Sequence, residues 1–255
     1  PLLMASLVTL TLPLALAHFE RSAGRLRALS GLAVGLLTAT AAVTLSRSGM
    51  LATAIAVALY FGTRRRSLLL AGGAIGLLLA GLSWGGDARL SPARAGRDLV
   101  QLAEVQTAML GEFTPTRLAV GAGPRAGWRH LHVGRIHARR GDDDTQPSFE
   151  NTYLRVGVDH GPLGLLFFLA FFFGGLAFMW RNVKRLGDPV ARADLRATAA
   201  SLTGWVLLML FSDMTARFST MVLLFASMGL GLGIVLTQRD GRRAVYRLVH
   251  YRHRL

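Results

Sequence analysis

The chain has 255 residues, 52% of them hydrophobic, with no cysteine and a formal net charge of +15 carried by arginine and a single lysine, Lys184. Mean hydropathy is +0.41 and long apolar runs recur, which excludes an ordinary soluble domain; a spanning helix needs about 20 apolar residues and must satisfy its own backbone, so a helical bundle in lipid is expected. Without Cys there are no disulfides and no thiolate-held metal, and the basic excess reads as membrane topology, with no nucleic acid needed to explain it, because cytoplasmic loops collect Arg and Lys.

Seven apolar runs predict membrane helices, at 1–18, 28–45, 48–63, 67–84, 156–180, 197–212 and 218–237. The fold class expected is therefore all-α, a polytopic helical membrane protein. The first run lacks a basic leader and a starting Met, so it reads as a helix from inside a longer protein, of which this chain is the C-terminal portion. Arg21, Arg25 and Arg27 follow the first run, Arg64, Arg65 and Arg66 the third, and Arg181, Lys184, Arg185, Arg192 and Arg196 the fifth. Six Arg follow the seventh, whereas the connections around Arg47 and Arg217 hold one each. This alternation predicts an inner face at the Arg-rich connections and a cytoplasmic C-terminus. The expected division is four helices over 1–84, one long extracytoplasmic loop over 85–155, three helices over 156–237 and a basic cytoplasmic tail over 238–255. The tail reads equally as solvated or as lying on anionic lipid.

Within the loop, Ser91-Pro92 reads as a helix start. Leu99, Leu102, Val105 and Met109 recur at helical spacing, with Arg97, Gln101 and Glu104 on the polar side, which predicts an amphipathic helix. Residues 119–124 (AVGAGP) read as a Gly/Pro turn. The most informative stretch follows: Ser148-Phe149-Glu150-Asn151-Thr152-Tyr153-Leu154 runs through Arg155 to His160 and Gly161-Pro162-Leu163-Gly164 into LLFFLAFFFGGLAFMW. A carboxylate in a polar cluster thus stands where the chain enters lipid, a location suited to a substrate with a lipid tail and a water-soluble head.

Several side chains carry two readings. Arg47, in Leu45-Ser46-Arg47-Ser48-Gly49, is either a snorkelling residue in a helix-hairpin turn or a fixed cation whose planar fork holds phosphate oxygens. Glu150 is either a carboxylate beside a helix N-terminus or a general base that takes a hydroxyl proton. Asp159 and His160 mark the interface or supply a displaced base. Tyr153 and Trp128 stack on sugars or belong to the interfacial aromatic belt. Asp213 and Arg217 pair across a turn or touch a donor. His130, His132 and His137 lack the ligand number and spacing of a zinc site.

Three segments in order make a pattern: Ser46-Arg47-Ser48-Gly49 at a helix start, Gly96-Arg97 followed by an amphipathic helix and the Gly121-Ala122-Gly123-Pro124 turn, and Asn151 followed by Gly161-x-x-Gly164. Over about residues 30–180 the chain resembles the O-antigen ligase and polymerase family of bacterial membrane glycosyltransferases. The resemblance implies an inner-membrane enzyme with its active site outside. Such an enzyme moves a glycan from a polyprenyl-diphosphate carrier to a glycan or lipid hydroxyl, with neither metal nor other cofactor and with inversion. Arg47 and Arg97 are implied to bind the diphosphate, and Arg155 is a further candidate that the resemblance does not supply. Asn151, Gly161 and Gly164 match the family's loop-to-helix motif, which contains Tyr153; Glu150 and Asn151 are read as the catalytic residues, Glu150 on the chemistry of its carboxylate and not on the resemblance. Glu150 stands where many ligases carry His. Two other classes fit the composition: a transporter or flippase of lipid-linked sugars, expected to hold charges deep within its helices, and a non-catalytic membrane scaffold.

Overall fold

A computed structural model describes residues 2–43, 47–62, 107, 114–123, 151–210 and 218–252. Their regular structure is helical throughout: α1 (Leu2–Arg21), α2 (Gly24–Val43), α3 (Arg47–Phe61), α4 (Pro115–Val120), α5 (Thr152–Val183), α6 (Pro189–Leu208) and α7 (Phe218–Arg252). The predicted run at 67–84 and the amphipathic helix of the loop lie outside the described residues, apart from Thr107.

Helix directions follow from which side chains meet. Ser201 donates to the Leu10 carbonyl at 2.8 Å and the Trp205 indole N–H to the Ser6 carbonyl at 3.0 Å, while Arg21 pairs with Asp194 at the far end. α1 and α6 are therefore antiparallel. Thr9 bonds Thr53 at 2.8 Å, and the Tyr60 hydroxyl donates to Glu20 at 2.8 Å, so α1 and α3 run parallel. Phe171 meets Phe225, and Cβ atoms built on Gly175 and Gly231 would meet Met228 and Met179, so α5 and α7 are parallel as well.

The bundle is apolar on its surface as well as in its core, where Trp205, Phe172, Leu195 and Leu202 are fully buried. Ser6, Thr9, Thr53, Thr198 and Ser201 are buried with many alanines, whereas Leu26, Leu29, Leu32 and Leu36 of α2, Leu163, Leu166 and Phe167 of α5 and Leu230 and Leu236 of α7 are exposed. In water such a surface would be an adhesive patch; against lipid it costs nothing, and small residues inside let helices approach closely. Gly204 shows how closely: a Cβ there would sit 2.7–2.8 Å from the Ala52 carbonyl, Ala56 and Thr9. Interhelical hydrogen bonds in membrane bundles average only about 0.6 kcal/mol, so this close packing contributes more to holding α1, α3 and α6 together than the Ser and Thr bonds do. By length and composition, segments within Thr152–Val183 and Met221–Gln238 can cross a bilayer.

Three boundaries differ from the sequence expectation. α6 begins at Pro189, well before residue 197, because Asp188 accepts from the Val190 and Ala191 amides and Pro occupies the first helical position. α7 continues to Arg252, so the basic segment after residue 237 is helical almost to its end. The fifth run, expected as one span over 156–180, is broken at Gly161, whose backbone lies at φ 70°, ψ −179°. Beyond the break, Gly157 faces Leu165, His160 abuts Gly164, and the Tyr153 and Phe168 rings meet edge-on at 6.0 Å. Residues that recede from 161 on one side meet residues that recede on the other, so the chain doubles back. Residues 152–160 form a short helix folded against the head of residues 162–183, and the latter span about 33 Å, enough for the hydrocarbon core.

Candidate functional site

The fold-back sits on the end of α6 away from Arg21–Asp194. A helix leaves its last carbonyls without intrahelical donors, and the start of α5 supplies them. The Tyr153 hydroxyl donates to the Val206 carbonyl at 2.7 Å, the Thr152 amide to the Met209 carbonyl at 2.9 Å and the Asn151 Nδ2 to the Leu210 carbonyl at 3.1 Å. Asn151 Oδ1 meanwhile accepts from the Leu154 amide at 3.0 Å as the N-cap of α5. One side chain both accepts and donates, which the carboxylate of an Asp cap could not do. Asn151, singled out from sequence as catalytic, thus fastens two helix ends together.

The loop turn reaches the same structure from 40 residues upstream. Pro162 has no N–H, so the Val158 carbonyl loses its helical donor, and the reversal at Gly161 removes the donor of the Asp159 carbonyl. The turn after α4 replaces both: the Ala122 amide donates to the Val158 carbonyl at 2.8 Å and the Gly123 amide to the Asp159 carbonyl at 3.0 Å. A Cβ on Gly121, whose φ is 93°, would come within 2.7–2.9 Å of backbone atoms of residues 159–161; one on Gly161 would come within 2.9–3.0 Å of backbone atoms of residues 119–121. The two glycines meet backbone to backbone. Gly164 has its own constraint, since a Cβ there would overlap that of His160.

Arg155 lies inside the hairpin at 4% exposure, and its Nε donates to Asp159 Oδ2 at 3.1 Å, one helical turn on. It is a buried member of an ion pair and not a cation on the surface. Removing one partner of a buried pair costs roughly 3–5 kcal/mol; asparagine keeps an acceptor oxygen, so Asp159→Asn is expected to cost about 2 kcal/mol. Thermal melting of the detergent-solubilised chain checks this, and an unchanged melting point would mean that the carboxylate charge does not matter to the hairpin. His160 is exposed at the tip.

The structure therefore joins Asn151, Tyr153, Arg155, Gly161 and Gly164 with Gly121 and Gly123 in one assembly. Glu150 and Arg97 lie outside the described residues, as do Trp128, His130, His132, His137, Asp213 and Arg217. Arg47 is the first residue of α3, and its side chain is also outside them. The i,i+4 spacing of Arg155 and Asp159 was a visible pairing signal. The α6 carbonyls had none, since every residue carries one. Among the described residues no three His, Asp or Glu side chains gather as a metal site would require. No family model matches the sequence, and no curated protein matches it.

Proposed function

We propose that this chain is the bundle of a membrane glycosyltransferase of the O-antigen ligase or polymerase type. It would transfer a glycan from a polyprenyl-diphosphate carrier to an acceptor hydroxyl without metal. The observation that carries the reading is the junction of Gly121-Ala122-Gly123 with Gly161-Pro162. Two of the three sequence segments behind the resemblance, far apart in the chain, dock on each other through reciprocal glycines and two hydrogen bonds. Both halves of a loop-to-helix motif are then structurally necessary, which a chance run of glycines would not be.

The polarity of the bundle supports an external site. Arg21, Arg25, Arg27, Arg181, Lys184, Arg185, Arg192 and Arg196 fall at one end by helix direction, and the hairpin falls at the other. Positive residues favour the cytoplasm, so the hairpin faces out, in a seven-span bundle whose C-terminus is cytoplasmic. Of the described charges, the buried ones are Arg155 and Asp159, in the hairpin and not at mid-span, which favours interfacial chemistry over a transport path.

In the mechanism, Arg47 and Arg97 hold the diphosphate and offset charge growing on the leaving group, a form of transition-state stabilisation, while Arg155, buried against Asp159, holds the hairpin that carries the motif. Glu150, next in the chain to the fastened Asn151, takes the acceptor's proton as its oxygen attacks the anomeric carbon. The C–O bond to the diphosphate breaks as the new glycosidic bond forms, and the configuration inverts. Segment 85–155 serves as the lid that excludes water as a competing nucleophile. The test is reconstitution in liposomes with a polyprenyl-diphosphate oligosaccharide and an acceptor glycan. Transfer in the presence of a metal chelator, with an inverted linkage by NMR, is expected. Absence of transfer to glycan and lipid acceptors alike, from a protein shown to be folded, would reject the reading.

A further inference from the structure

A cleft of about 150 Å³ opens at the Arg-rich end of the bundle, between the ends of α1 and α3 and the start of α6. Its polar lining is Arg192, Arg196, Tyr60 and Glu20, with Phe61 and Ala193 as apolar wall. It lies at the opposite end from the hairpin and has no part in the transfer chemistry above.

The charges in this cleft are arranged against themselves. Arg192 and Arg196 are one turn apart on α6, and like charges at that spacing repel. They are the fourth and eighth residues of the helix, beyond the N-terminal amides that Asp188 caps. Arg192 is held in place, its Nε and Nη2 both donating to the Leu186 carbonyl, at 3.0 and 2.5 Å. Half-buried Arg196 makes no hydrogen bond or ion pair among the described residues. Nearby Asp194 is taken by Arg21 and Asp188 by the α6 amides. Glu20 is the lining carboxylate, and its Oε2 is bonded by Tyr60, which leaves the lining with a net positive charge.

We propose that this cleft is a binding site for a phosphate group. A phosphate beside Arg196 would offset its repulsion with Arg192 and meet the Arg196 guanidinium fork, whose geometry matches phosphate oxygens. The volume falls well below the roughly 300 Å³ at which drug-sized pockets begin, so it suits a single phosphate and excludes a nucleotide. The phosphate arrives on an anionic phospholipid or free in solution.

The test titrates the detergent-solubilised chain, followed by thermal melting and native mass spectrometry, with short-chain phosphatidylglycerol, short-chain diacylglycerol, which lacks phosphate, and inorganic phosphate. Phosphatidylglycerol is expected to raise the melting point and remain bound, and Arg196→Gln to weaken it 10-fold or more. Arg196→Lys, which keeps the charge and loses the fork, should fall between them and guards against misfolding. Arg181→Gln, an exposed change outside the cleft, should leave binding unchanged. Saturation by inorganic phosphate, with phosphatidylglycerol acting only as its competitor, would support the site and identify free phosphate as its source. Equal retention of diacylglycerol, no response to either phosphate compound, or an equal loss in Arg181→Gln would overturn the proposal.

Discussion

Glycan transfer is expected to fall about 100-fold or more in Glu150→Gln and again in Arg47→Ala, measured as initial rates in the reconstituted system at saturating donor. The two losses have different origins. Glutamine is nearly isosteric with glutamate but cannot accept the acceptor's proton, and general-base catalysis is typically worth 10²–10⁴. Alanine at 47 removes a charge that offsets the developing diphosphate, and one such donor contributes about 2.7–4 kcal/mol to the transition state. The signatures differ accordingly. Raising the pH should not rescue Glu150→Gln, whereas Arg47→Lys should recover part of the Arg47→Ala loss because it restores charge without the fork. Turnover like that of wild type in both Glu150→Gln and Arg47→Ala would remove the assigned roles, whatever the structure of the hairpin.

Together with Gly121→Ala, Gly161→Ala is expected to be among the most damaging single-methyl changes in the described residues. At φ 70°, ψ −179° the backbone is in a region essentially reserved for glycine, worth about 1–3 kcal/mol of strain to any other residue. The new Cβ would also stand within 2.9–3.0 Å of three backbone atoms of residues 119–121, and overpacking against atoms that cannot rotate away adds about 1–3 kcal/mol. A total near 4 kcal/mol corresponds to a fall of roughly 10 °C in melting temperature for a chain of this size. Gly35→Ala is the matched control: nothing lies within 4 Å of its added methyl, so the change should stay within about 1 kcal/mol. A Gly161→Ala protein melting within about 2 °C of wild type would mean that the loop is not docked on the reversal in solution.

The helices were legible because apolar runs between arginines report both their existence and their direction, and α1, α2, α3 and α7 begin within a few residues of expectation. The reversal at Gly161 was not, although Gly-Pro stood in plain view. Val156 and Val158 on one side and the long apolar run on the other merge across Asp159 and His160 into one stretch, and hydropathy carries no sense of direction, so a helix that folds back scores like one that continues. Asp188-Pro189 was a sound start signal for α6, outweighed by the arginines at 192 and 196, which made the first two turns look like a connecting loop. Asn151 stood out in the sequence by its motif, but its partners are the α6 backbone 59 residues away, which no side-chain pattern reports. Arg47, Arg97 and Glu150, the residues with the largest predicted effects, are joined only by the motif order and the proposed chemistry.

The contact between Gly121 and Gly161 leaves no space in which side chains could be exchanged, one growing as the other shrinks. Drift at either position therefore has almost nowhere to go, while the exposed leucines around it can be exchanged for other apolar residues. A distant relative sharing this geometry should betray itself by two synchronised glycines about forty positions apart, even after its overall identity has sunk into noise. Scoring that doublet jointly, ahead of a proline, offers a sharper way to collect kin of this chain than aligning its greasy spans.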